Sequence, residues 1–349
     1  MTYRLTNSRV EQVLPLSSPS QIIGEMPQPD SSAQTVLASR QAIKNIIQGD
    51  DKRLLAIVGP CSIHDETAAL EYAQWLSDQR QKFSGELELV MRTYLEKPRT
   101  TVGWKGIIND PHLDDSFDME TGLRISRRLL LKITELGVPV STELLDLRTP
   151  QYTSDLISWG AIGARTIESQ LHRELASGVS YPVGFKNGTG GDVQTAIDAM
   201  GSAEAKHSFI GIDMDGQTAV IKTKGNQDTH LILRGGGGKS NYDAENVAKT
   251  AVMLEAKSQN PKIMIDCSHS NSGKDYKNQL IVAKNVAQQL AAGNQNICGV
   301  MIESNLVEGN QKISDSLTYG QSITDACAGL ESTEQMLKTL AEAVQIRQK

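Results

Sequence analysis

Along most of the chain, short apolar runs alternate with longer stretches in which apolar residues recur every three or four positions. The runs cover residues 54–61 (LLAIVGPC), 87–95 (LELVMRTYL), 138–146 (VPVSTELLD), 160–166 (GAIGART), 182–187 (PVGFKN), 229–235 (THLILRG), 262–269 (KIMIDCSH) and 297–304 (ICGVMIES). Between and after them, residues 65–82, 119–136, 168–178, 192–206, 243–258, 274–292 and 333–346 follow a helical pattern. Short runs this apolar read as buried strands, and the stretches between them as crossover helices. Eight strands, each followed by helix, predict a closed (β/α)8 TIM barrel; a doubly wound open sheet is the other arrangement with this rhythm.

Two segments break the alternation. Residues 1–32 carry Pro15, Pro19, Pro27 and Pro29 among Ser and Gln, which predicts an extended arm. Val36, Ile43, Ile46 and Ile47 then recur at helical spacing up to Gly49, so residues 33–48 read as an amphipathic helix with capping chemistry in Asp30-Ser31-Ser32. Residues 209–224 form two alternating runs around Asp215-Gly216, a β-hairpin signal inserted between the fifth helix and the sixth strand. The expected organisation is an N-terminal extension over 1–48, serving oligomer contacts or regulation, and a barrel over 49–349 that carries the hairpin.

Length agrees with that division: a barrel typically takes ~250 residues, and the extension, hairpin and long loops at 96–118 and 305–332 occupy the remainder of the 349. The net charge of −6 argues against nucleic acid as a partner, because an acidic surface repels a polyanion. No apolar run approaches the ~20 residues of a membrane span, and the first residues show no basic flank and apolar core of a secretory signal. Cys61, Cys267, Cys298 and Cys327 are too widely spaced to suggest a disulfide framework, so the expected compartment is the reducing cytoplasm.

The polar residues are concentrated where a barrel keeps its chemistry, at the C-terminal ends of the strands. In order they are Cys61; Arg92 with Lys97 and Arg99; Glu143 and Asp146; Arg165; Lys186; Arg234; Asp266 and His269; and Glu303. A single Arg or Lys there is more often a snorkelling or ion-paired residue. Six cations (Arg92, Lys97, Arg99, Arg165, Lys186 and Arg234) around one mouth instead suit phosphate and carboxylate groups. Glycines 188, 190 and 191 and the run 235–238 leave bare backbone that can approach an anion. Cys61, His269, Glu303 and Asp325 together offer sulfur, nitrogen and oxygen donors for a divalent transition metal. Taken singly, Cys61 reads as a buried small residue and His269 as a hydrogen-bonded loop histidine, while Cys267, Cys298 and Cys327 read as packing. Residues 234–240 (RGGGGKS) fail as a P-loop because Leu233 stands where its first glycine belongs. No GxGxxG follows the first strand and no GxSxG occurs.

Several segments resemble the microbial, feedback-regulated type I 3-deoxy-D-arabino-heptulosonate 7-phosphate (DAHP) synthases. They are residues 59–65 (GPCSIHD), 91–110 (MRTYLEKPRTTVGWKGIIND), 158–169 (SWGAIGARTIES), 182–189 (PVGFKNGT), 231–236 (LILRGG), 264–272 (MIDCSHSNS), 301–311 (MIESNLVEGNQ) and 319–329 (YGQSITDACAG). The resemblance runs from residue 30 to the C-terminus and implies condensation of phosphoenolpyruvate with erythrose 4-phosphate, the first step towards aromatic amino acids. It implies one divalent metal ion (Mn, Fe, Co or Zn) on Cys61, His269, Glu303 and Asp325. It places phosphoenolpyruvate on Arg92, Lys97, Glu143, Arg165, Lys186 and Arg234, and erythrose 4-phosphate on Arg99 and Thr100. Lys97, Lys186 and His269 carry the catalytic roles, with Lys186 expected to relay a proton because crowding by cations lowers its pKa. The resemblance also implies a homodimer or homotetramer and inhibition by Phe or Tyr near Pro150, Gln151, Ser180 and Phe209.

Two rival readings come from other classes. Lys186 at a strand end suits a Schiff-base sugar-phosphate aldolase. A barrel that senses sugar phosphates without turnover would keep the cations and dispense with the metal donors.

Overall fold

A computed structural model describes residues 5–349. The arm contains a first helix, α1 (Pro19–Glu25), and is followed by α2 (Asp30–Gln48). The repeating part then runs β1 (Leu54–Gly59), α3 (Glu66–Lys82), β2 (Leu87–Arg92), α4 (Met119–Glu135), β3 (Val140–Glu143), α5 (Pro150–Thr153), β4 (Ile157–Ile162), α6 (Gln170–Ala176), β5 (Val183–Lys186) and α7 (Gln194–Glu204). A hairpin of β6 (Ser208–Ile212) and β7 (Thr218–Lys222) intervenes before β8 (Thr229–Leu233), α8 (Ala244–Glu255), β9 (Ile263–Asp266), α9 (Gln279–Ala291) and β10 (Ile297–Glu303). The chain ends with two short strands, β11 (Val307–Asn310) and β12 (Gln321–Ser322), and α10 (Leu330–Gln348). Strands β1, β2, β3, β4, β5, β8, β9 and β10 pair in parallel and close into a barrel through β10 on β1. The closed sheet decides against the doubly wound alternative.

The strands are buried along nearly their whole length because each is covered on both faces. Outside lies the layer of helices; inside, Leu55, Ile57, Val90, Trp159, Ile232, Met264 and Met301 share one cluster with Ile43, Ile46 and Ile47 of α2. The apolar stripe of α2 therefore packs into the barrel core. The helix stops at Gly49, whose φ of 88° lets its N–H reach back to Asn45 and Ile46.

Several expectations need correction. The arm is extended only up to Ser18, whose hydroxyl caps α1 with Pro19 at the first helical position. A helix of seven residues is too short to show periodicity among prolines. Residues 1–4 of the expected arm lie outside the described residues. Helix α2 starts three residues before the expected 33, and Pro29 rather than Asp30 is its N-cap; Asp30 sits instead in the first turn, where the helix dipole favours an acid. The fourth strand is displaced towards the N-terminus, at Ile157–Ile162 instead of 160–166, because Gly163–Ile167 turns away from the sheet. The third crossover carries one helical turn, α5, in place of a full helix.

The arm docks against this same region. Tyr152 donates to the Ser17 carbonyl at 2.9 Å, and Ser20 N–H to Met214 O at 2.7 Å in the hairpin turn. Buried Arg127 on α4 donates to Met26 O and Tyr152 O and pairs with Asp155 at 2.7 Å. Among the described residues, no helix is long and apolar enough to cross a membrane.

Candidate active site

Five barrel strands end on an ionisable residue: β2 on Arg92, β3 on Glu143, β5 on Lys186, β9 on Asp266 and β10 on Glu303. Cys61 follows β1 by two residues, and Arg234 follows β8 by one. The geometry depends on Gly59: a Cβ there would lie 3.1–3.2 Å from the Arg92 backbone and Cβ, so only glycine lets β1 and β2 end side by side. Gly163 does the same for Glu143, whose carboxylate occupies the space a Cβ would need.

One cluster gathers Cys61, Glu303 and Asp325, with one donor atom from each lying within 4.8 Å of the others. Cys61 Sγ stands 3.5 Å from Asp325 Oδ2, and Lys97 Nζ lies 2.7 Å from the sulfur and 3.6 Å from the same carboxylate. Burial, followed by the Glu303 charge, pushes the Cys61 thiol up to about 12. Burial disfavours the Lys97 ammonium, but Cys61, Glu303 and Asp325 outweigh it, so Lys97 is held above the usual lysine range. Burial would raise the Glu303 carboxyl, but His269, Arg92 and Lys97 surround it and hold it below the usual range. His269 borders this group through Nε2, 3.9 Å from Glu303 Oε1, and is not one of the three residues that converge. Its φ of 54° is uncommon for a residue with a Cβ, and its Nδ1 lies 2.9 Å from Asp266 and 2.7 Å from Ser268 Oγ.

The donor set fits a divalent transition ion: one sulfur, two carboxylates and a neighbouring imidazole. A thiol this hard to ionise would lose its proton to such an ion.

The cations are graded by depth. Arg92, Lys186 and Arg234 are buried, whereas Arg99, Thr100 and Arg165 stand at the exposed rim, where Arg165 Nε donates to Thr100 Oγ1 at 3.3 Å. Arg92 pairs with Glu303 at 3.1 Å and donates to Pro60 O, while its Nη1 has no partner among the described residues. Lys186 is not depressed by crowding as expected. Burial does pull its pKa down, but Asp266, 3.0 Å away, raises it above the ordinary value.

Asp266 is the residue whose role sequence reasoning missed. It bridges Lys186 and His269, and these partners overcome burial to hold its carboxyl well below the usual range. Its position as the last residue of an apolar run was the available signal. Asn187 was also missed: its amide donates to Gly188 and Gly235 carbonyls at 3.0 Å and its oxygen accepts the Arg234 N–H at 2.9 Å, tying two glycine-rich loops together.

The residues expected for regulation lie on α5, on the hairpin and in the loop between α6 and β5, and Pro150 lines a cavity that also includes Glu143. Pro150 and Gln151 are on α5, and Gln151 donates to Ile212 O of β6 at 3.2 Å. Phe209 is half-buried on β6, and Ser180 is exposed in the loop before β5.

The DAHP synthetase I family model matches residues 30–338, nearly the whole barrel and α2. The chain belongs to the DAHP synthetase I family. Relatives within it include the Phe-sensitive phospho-2-dehydro-3-deoxyheptonate aldolase of Escherichia coli, 51% identical with 99% of each chain covered. The Tyr-sensitive enzyme of the same species is 50% identical over 96% of this chain and 95% of its own. The phenylalanine-inhibited enzyme of Saccharomyces cerevisiae is 50% identical over 99% of this chain and 96% of its own. Among solved structures, phospho-2-dehydro-3-deoxyheptonate aldolase from Francisella tularensis superposes with a TM-score of 0.95 at 51% identity, covering 97% of this chain and 99% of that one.

Proposed function

We propose that this member of the DAHP synthetase I family condenses phosphoenolpyruvate with erythrose 4-phosphate and water to DAHP and phosphate. The observation that carries the reading is the juxtaposition of buried Arg92, Lys186 and Arg234 with the Cys61–Glu303–Asp325 cluster at one barrel mouth. Arg92 and Lys97 hold the carboxylate of phosphoenolpyruvate, and Arg165, Lys186 and Arg234 its phosphate, with Glu143 beside them. Arg99 and Thr100, at the rim, take erythrose 4-phosphate above it. Cys61, Glu303, Asp325 and His269 hold one divalent ion, of Mn, Fe, Co or Zn type, which supplies a Lewis acid for the aldehyde when bound. The chain's own contribution is orientation and charge stabilisation in a partly dehydrated mouth.

Carbon 3 of phosphoenolpyruvate attacks the aldehyde carbon, and the aldehyde oxygen takes a proton, for which Lys97 is the protonated group beside the metal donors. Water adds at carbon 2; as the C–O bond to phosphate breaks and the carbon 2 carbonyl forms, one of the water's two protons leaves with the phosphate and the other returns to Lys97. Lys186 and Asp266 form the relay for the proton that leaves with the phosphate. The same pair speaks against imine chemistry, because a Schiff-base lysine must be neutral to attack. Borohydride added with the substrates should therefore leave the protein mass unchanged, and a trapped adduct on Lys186 would favour the aldolase.

Inhibition by Phe or Tyr is proposed at a site between the arm, α5 and the hairpin, using Pro150, Gln151, Ser180 and Phe209; Gln151's bond to the hairpin supports it. A homodimer or homotetramer in the reducing cytoplasm completes the reading. All four cysteines are free and buried, as a site that needs the Cys61 thiolate requires.

A further inference from the structure

Tyr94 lies two residues beyond Arg92 at the end of β2, on the same side of the chain, and is buried to 1% exposure. Its ring lies under the Arg92 guanidinium, with Cζ 3.9 Å from the ring centroid. Its hydroxyl and Arg92 Nη1 are both fully buried, and neither finds a hydrogen-bond partner among the described residues. Two adjacent donors left unmet are costly, since burial removes their water without replacing it. Phenylalanine would stack under Arg92 without that cost, so the stacking does not explain the hydroxyl. The hydroxyls of two other buried tyrosines, Tyr72 and Tyr181, also lack a hydrogen-bond partner, but the neutral hydroxyls of Ser304 and Ser154 act on them. The groups acting on Tyr94 are instead the charges of the mouth: Arg92, Lys186, Glu143 and Asp266.

We infer that Tyr94 is a further substrate-contacting residue, its hydroxyl donating to the phosphoenolpyruvate anion between Arg92 and Lys186. This rests on the condensation reading above. The missing partner of the hydroxyl is the substrate itself, and the pair Arg92 Nη1 and Tyr94 Oη forms a two-donor clamp on the bound anion.

Tyr94→Phe in the full-length, metal-loaded enzyme tests this, because it keeps the ring under Arg92 and removes only the hydroxyl. Calorimetric titration with phosphoenolpyruvate alone should show affinity falling roughly ten- to a hundredfold, the loss expected for a hydrogen bond to a charged group. The KM for phosphoenolpyruvate should rise in step, the KM for erythrose 4-phosphate should hold, and the substrate-free melting temperature should stay level or increase. Unchanged phosphoenolpyruvate affinity overturns the proposal. So does weakened affinity accompanied by a lower substrate-free melting temperature or by aggregation, which marks the hydroxyl as structural. Failure of the condensation reading is separately visible: wild-type protein that binds phosphoenolpyruvate but never releases phosphate with erythrose 4-phosphate contradicts that reading, while the binding comparison still judges Tyr94.

Discussion

Lys97 stands 2.7 Å from the Cys61 sulfur and 3.6 Å from Asp325, so a single ammonium lies against both the thiol and the carboxylate. Removing the sulfur leaves the ammonium and carboxylates but no soft donor. Cys61→Ala should thus bind less than one equivalent of divalent metal, measured by elemental analysis after gel filtration, and lose metal-dependent turnover. Full metal content with near-normal turnover would remove Cys61 from the ligand set. At this scale, the charged residues of the site were legible because a barrel displays its strand ends on one face. Asp266 and Tyr94 were not assigned roles. What distinguishes them is partnership in three dimensions: a carboxylate shared by residues from β5 and the loop after β9, and a hydroxyl with no protein partner. Neither leaves a trace in spacing.

The hairpin β6–β7 pairs only with itself among the described strands, and Ile210 and Val220 are 80% and 66% exposed. It touches the rest of the chain through the arm, α5 and α6, and through Ile212 on the core, but it does not pair with the barrel sheet. Replacing residues 208–222 by a short glycine-containing turn should leave turnover in place and abolish inhibition by Phe or Tyr, read as initial rates across an inhibitor series. An inhibition curve identical to that of the intact chain would free the hairpin from any regulatory role. Elements this self-contained were readable in advance because the Asp-Gly turn and two alternating runs are local signals. The barrel strands were readable because both-sided burial makes them apolar throughout. Helix α1, the single turn α5 and the small β11–β12 sheet were not, since none is long enough for a period to emerge. The register of β4 slipped because Ser158 and Trp159 are buried in the sheet, and a polar residue beside an indole does not announce a strand.

At the scale of the molecule, helix α2 and the barrel interior share one continuous core cluster. That interior contains a buried histidine: Trp159 Nε1 donates to His230 Nε2 at 3.0 Å, both side chains being fully buried. Burial lowers the His230 imidazole to about 4 from an ordinary 6.5. Because the unfolded chain takes the proton first, stability is complete above pH 6.5 and falls as pH drops towards 4. The loss attributable to this residue is about 2 kcal/mol at pH 5. Denaturant titrations at one protein concentration should show wild type losing that much more than His230→Gln between pH 7 and pH 5. Parallel profiles would mean that the folded chain accommodates the charged imidazole.

The central claim joins the two halves of the mouth, anion pocket and metal donors, in one reaction. Its most direct test is the initial rate of phosphate release from phosphoenolpyruvate, with and without erythrose 4-phosphate, before and after removal of metal by EDTA. The structure predicts release only when both substrates are present, loss of release after chelation, and recovery when a single divalent cation such as Mn is returned. Release that proceeds without erythrose 4-phosphate, or that survives complete removal of metal, would contradict it.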